Sequence, residues 1–184
     1  MAFKFNGTDL KNIIYNGVSL GKVIFNDVTV WIKELFIFAN GNTSFSNGCT
    51  VKKHASSGNS YYEFLDGNFN VVANGSNGAE YCDARITTFD ISNFDKLEII
   101  AKCSISDSNQ ARVAMNLLDG NANELEGLAI SNSHSNSSRK ITTSFKTFTI
   151  DISKYSGKLI LHLNSTTWRS NLWSIFYIKS IRVY

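Results

Sequence analysis

The segment Thr166-Thr167-Trp168-Arg169-Ser170-Asn171-Leu172-Trp173 sets a tryptophan beside an arginine and an asparagine in a polar stretch. A saccharide offers two kinds of surface. Its apolar C–H faces are covered by an exposed aromatic ring, and its hydroxyls are bonded by planar polar side chains. Trp168, flanked by Arg169 and Asn171, meets both needs, and a tryptophan in so polar a loop is out of place in a core. Trp173 opens an apolar run and is expected inside. Tyr61 and Tyr62 add a second candidate surface, because neighbours in a strand point to opposite faces and one of them must look outward. The expected ligand contacts are therefore Trp168, Arg169, Asn171, Tyr61 and Tyr62.

Catalysis needs titratable groups that converge, and the sequence assembles none. His54, His134 and His162 lie far apart, with no glutamate at a metal-binding spacing. His54 and His134 sit in Ser/Asn-rich stretches, and His162 sits between Leu161 and Leu163, facing away from both. Neither a nucleophile elbow nor a phosphate-cradling glycine loop is present. Asp66, Asp90 and Asp151 act as a carboxylate pair only if the fold brings them together, and Asp90 and Asp151 already have a turn role. The chain is read as a non-enzyme, with no catalytic residue, no metal ligand and no cofactor.

These residues need a scaffold, and its signals are all of one kind. Apolar segments of strand length recur at 35–39, 61–65, 69–73, 81–88, 97–105, 112–118, 125–131, 145–152, 159–164 and 175–184. Turn residues separate them, as at Asp66-Gly67-Asn68, Asp119-Gly120-Asn121 and Ser156-Gly157. Leu97, Ile99, Ala101 and Cys103 alternate with Glu98 and Lys102, and Leu159, Leu161 and Leu163 alternate with Ile160, His162 and Asn164. Near the C-terminus, Ile178, Ser180, Arg182 and Tyr184 alternate with Tyr177, Lys179, Ile181 and Val183. A period of two means one buried face and one wet face, so the class is all-β, an antiparallel β-sandwich. Phe89-Asp90-Ile91-Ser92-Asn93-Phe94 and Ile150-Asp151-Ile152-Ser153-Lys154-Tyr155 echo each other before strands at Leu97 and Leu159. They read as equivalent turns, one leading into each sheet, each plugged by an aromatic.

The N-terminus carries a different pattern. Phe5-Asn6-Gly7, Tyr15-Asn16-Gly17 and Phe25-Asn26-Asp27 open three copies of a ten-residue repeat, the last truncated at Val30-Trp31. Asn-Gly tolerates positive φ at both centres of a tight turn, so the repeat reads as a short β-meander. A module this small cannot bury a core alone and is expected to attach to something larger. Residues 1–33 are assigned to this docking module and residues 34–184 to the sandwich.

Composition bounds the partners. The 184 residues are 43% hydrophobic and 12% aromatic, contain no proline, and carry a net charge of only +3. So balanced a charge gives no footprint for nucleic acid. No apolar run is long enough to insert in a membrane, and no signal peptide is read at the N-terminus. Cys49, Cys82 and Cys103 make an odd set without metal spacing, which fits a protein made in a reducing cytoplasm, with Cys103 as a core residue.

The stretch from Thr143 through Phe145-Lys146-Thr147-Phe148-Thr149-Ile150-Asp151 and Ser156-Gly157 to Leu163, with the closing Ile178 to Tyr184, resembles the second half of jelly rolls of the carbohydrate-binding-module type. The N-terminal repeat ending Thr29-Val30-Trp31 is similar to short modules of bacteriophage and prophage virion proteins. Together the resemblances imply a jelly-roll sandwich and a virion protein of tail, baseplate or receptor-binding type. Residues 1–33 would dock to other virion proteins, and the sandwich would contact the host surface and its glycans. A symmetric homo-oligomer is implied, with a trimer as the natural form. A capsid decoration protein and a stand-alone bacterial carbohydrate-binding module are the alternatives.

Overall fold

Among the described residues eleven strands, the longest of them with period-two burial, pack as two antiparallel sheets. The computed structural model describes residues 34–56, 59–131 (backbone only at 129–130) and 140–184, with strand backbones among residues 4–32. Three short ladders come first: β1 (Lys4–Phe5) with β2 (Thr8–Asp9), β3 (Ile13–Tyr15) with β4 (Val18–Leu20), and β5 (Lys22–Phe25) with β6 (Val28–Ile32). Their closing pairs are Phe5 with Thr8, Tyr15 with Val18 and Phe25 with Val28, so each ladder spans one Asn-Gly or Asn-Asp dipeptide of the repeat. The expected meander is corrected in one respect. Among the described residues each hairpin is a separate two-stranded ladder rather than part of one sheet, and the second and third take their first strand from the end of the preceding copy, at Ile13-Ile14 and Lys22–Ile24.

The sandwich follows with β7 (Leu35–Phe38), β8 (Thr50–Ala55), β9 (Tyr61–Leu65), β10 (Asn68–Gly75), β11 (Glu80–Asp90) and β12 (Lys96–Ile105). Completing it are β13 (Ala111–Leu118), β14 (Glu124–Ile130), β15 (Lys146–Asp151), β16 (Lys158–Thr167) and β17 (Leu172–Val183). One sheet runs β15-β12-β17-β10-β9, with β7 also paired to the end of β17, and the other runs β14-β13-β16-β11-β8. This is a jelly-roll β-sandwich. Among the described residues no helix is long and apolar enough to cross a membrane.

The inward faces are those the alternation selects: Leu97, Ile99, Ala101 and Cys103 on β12, and Leu159, Leu161 and Leu163 on β16, are all buried. A ring cluster closes one end of the core, with Phe69 4.9 Å from Phe45, 5.1 Å from Phe64 and 5.4 Å from Tyr62. Asp66 and Gly67, at φ 52° and 75°, make the tight turn between paired Leu65 and Asn68. The Asp-Ile-Ser echo is structural. Asp90 accepts the Ser92 N–H at 3.0 Å, Asp151 accepts that of Ser153 at 3.1 Å, and Ile91 and Ile152 are buried. The three cysteines are free and buried, and burial pushes the Cys82 and Cys103 thiols up to about 11.

Three expectations are corrected. β8 lies in a stretch read as polar loop; it is an edge strand of which only Val51 and Ala55 are partly buried, so it has little apolar signal. In β17 a bulge falls where Ile100 pairs with Ser180 and Ala101 with Ile178, which brings Ile178 onto the inner face with Ile181 and Val183. Trp173 is not core: it alternates with buried Ser174, faces outward and is 40% exposed.

Candidate functional site

On the outer face of the five-stranded sheet, outward side chains of β8, β11, β16 and β13 fall into rows. β11 pairs with β16 so that Tyr81 meets Thr166, Asp83 meets Asn164 and Arg85 meets His162. On the other side of β16, Arg112 meets Thr166, Ala114 meets Asn164 and Asn116 meets His162. β8 extends the rows, with His54 beside Asp83 and Lys52 beside Arg85. Inward residues of the same strands (Cys82, Ala84 and Ile86; Val113, Met115 and Leu117) are fully buried and fix which side faces solvent.

Asp83 is the hub. Its Oδ1 accepts the Asn164 amide N–H at 2.5 Å, and His162 Nε2 lies 3.3 Å from the same oxygen. Thr166 in turn donates its hydroxyl to Asn164 Oδ1 at 2.8 Å. Both Asp83 and His162 keep only 17% of their side-chain surface exposed. Burial pushes the Asp83 carboxyl up, but the contacts with His162 and Asn164 and the Arg85 charge outweigh it and hold the carboxyl below the usual carboxylate range. The network thus presents fixed donors and acceptors rather than a rotating set of side chains.

Aromatics flank one end. Trp168, 40% exposed, follows β16 in the loop to β17, and the Arg112 guanidinium stands 5.2 Å from its ring centre. Tyr81, 42% exposed, is on β11 in the row of Thr166 and Arg112. The loop is tied at its base, where Asn171, at φ 61°, donates its backbone N–H to Gly75 O at 2.6 Å. Any Cβ on Gly75 would lie 2.6 Å from Arg169 O and 2.7 Å from Thr167 Oγ1, so the chains approach this closely only at a glycine. The short side chain of Ala114, between Arg112 and Asn116, leaves a low point in the middle of the face.

Of the residues expected from sequence, the structure brings Trp168 to this site. Arg169 and Asn171 share its loop with exposed side chains, their backbones meeting Gly75. Tyr61 is on the outer face of the other sheet, paired with Val72, while Tyr62 packs inward on Phe69. The five therefore do not form one surface. His54 is exposed on β8 in the same rows, and His134 lies outside the described residues. Asp83, Arg85, Arg112, Asn116 and Asn164 were not singled out in the sequence, although each occupies the polar phase of an alternating strand. Among the described residues no three His, Cys, Asp or Glu side chains converge as a metal site.

No protein-family model matches the sequence. No curated protein matches it either. Similar solved structures include a xylan-binding module of family 15, at 13% identity over 82% of this chain and 94% of that one, with a TM-score of 0.47. A family 61 carbohydrate-binding module in complex with β-1,4-galactotriose is 9% identical over 73% of this chain and 87% of that one, with a TM-score of 0.46. The enzymatically active domain of tailspike protein 4 of bacteriophage CBA120 is 12% identical over 74% of this chain and 19% of that one, with a TM-score of 0.43. These are likenesses of architecture alone.

Proposed function

We propose that the chain is a glycan-binding protein whose saccharide lies on the outer face of the five-stranded sheet, against Trp168 and the polar rows beside it. The observation that carries this reading is the Asp83–Asn164–His162 network, preorganised and largely buried, beside two exposed aromatics. Hydroxyls need donors and acceptors held in place, and a sugar's C–H face needs a ring; the site supplies both. Binding is favoured over hydrolysis because glycosidases work with two carboxylates roughly 5–9.5 Å apart, whereas the partners around Asp83 are an amide, an imidazole and a guanidinium. A glycan array followed by calorimetric titration with wild type and Trp168→Ala tests it. Saturable binding that the substitution weakens supports the reading, and unchanged binding in Trp168→Ala moves the site elsewhere.

Residues 1–33 serve in this reading as the attachment half. Their three hairpins, one at each Asn-Gly or Asn-Asp turn, suit docking on a larger assembly, and a phage tail, baseplate or receptor-binding complex assembled in a host cytoplasm is the assembly the repeat resembles. Solution mass by light scattering separates the variants. A trimer favours a spike or fibre head, and a monomer favours a decoration subunit or a free-standing binding module.

A further inference from the structure

The charge on this face is uneven. Lys52, Arg85 and Arg112 stand in its rows, against the carboxylates of Asp83 and Glu124. Asp83 is already engaged by Asn164 and His162. Glu124 belongs to the far edge: it pairs with Leu118, and its Oε1 lies 3.9 Å from where a Cβ on Gly127 would stand. Among the described residues, the end that carries Trp168, Tyr81 and Thr166 therefore has a cation, Arg112, with no acid in its row.

The arginines are also incompletely satisfied. Nε of Arg85 and Nε of Arg112 are both buried, and neither meets an acceptor among the described residues. With Nε shut in, ligand contact falls to the Nη end of each guanidinium, a planar fork that matches a carboxylate or sulfate. Arg112 is further held by its position over the Trp168 ring, so little ordering is left to do when an anion arrives. Ala114, the next outward residue along β13, puts only a methyl group beside it.

We infer that the saccharide taken by this face is an acidic one, whose carboxylate or sulfate is received by Arg112 while its ring lies against Trp168. This rests on the glycan-binding reading and adds the charge of the ligand. The test is an array holding neutral, uronate-, sialate- and sulfate-bearing glycans, probed with the full chain, with hits titrated by calorimetry. The expected bound set is acidic. Enzymatic desialylation, carboxyl reduction or desulfation of the hits abolishes binding and tells which acid is read. Raising salt from about 0.05 to about 0.5 M weakens binding about tenfold or more. Arg112→Gln, checked for an unchanged thermal transition, is expected to weaken binding of acidic hits about tenfold. If the bound set is neutral and indifferent to salt, the inference falls while the glycan reading stands. If no glycan binds at all, both fall.

Discussion

Asp83 and Asn164, 81 positions apart in the chain, are joined by a 2.5 Å hydrogen bond across β11 and β16 that makes the carboxylate the hub of the polar face. Because its carboxyl is held low in the folded state, Asp83 contributes stability that is fully present above the unfolded carboxyl's titration. That contribution is lost as the pH falls through the folded value. Asp83→Asn is expected to cost about 1–2 kcal/mol at neutral pH, with the gap to wild type closing below pH about 4. Urea unfolding at neutral and acid pH measures both; a gap that persists in acid would mean that the charge is not what stabilises.

Trp168→Ala removes a ring that is 40% exposed and stands over Arg112. The stability loss is expected to stay near the scale of one exposed cation–π contact, about 0.5–1 kcal/mol, while saccharide affinity falls far more. Paired thermal melts and titrations check this. A large loss of stability would mark the ring as structural.

Gly75→Ala is expected to destabilise by about 2 kcal/mol, because the new methyl group meets the backbone at Arg169 and Gly78 rather than a yielding side chain. The same clash displaces the loop that carries Trp168, so its fluorescence maximum should shift in the folded variant. Wild-type stability would show that the loop gives way freely.

Removing residues 1–33 tests the domain division. The sandwich retains Glu34, whose carboxylate pairs with Arg182 at 2.7 Å, and all eleven of its strands. It is expected to melt cooperatively, within about 1 kcal/mol of the full chain. A truncated chain that fails to fold would place the hairpins in the core.

Much of the sandwich was legible because alternation reports burial directly: β9 runs from Tyr61 to Leu65 as its pattern says, and the inward leucines of β16 are those that alternate with His162 and Asn164. Trp173 was misassigned by weighing its apolar neighbours above its phase, since counting back by twos from buried Phe176 puts it outside. β8 escaped because an edge strand with little to bury leaves little pattern. The site was less legible than the fold. Arg85 and Asn116 are unremarked polar positions, and His162 only an outward histidine, until sheet order sets β11, β16 and β13 side by side, and no local spacing encodes that order.

The buried thiols give the molecule an internal set of clocks. Cys82 lies on the sheet that carries the polar face, Cys103 on the opposite sheet, and Cys49 in the connection leading to β8. All three are shut from solvent, and burial raises each thiol, so a modifying reagent reacts only with molecules that have opened. Timing the modification of each cysteine by mass spectrometry would therefore show whether the two layers part together or one after the other, with no label introduced.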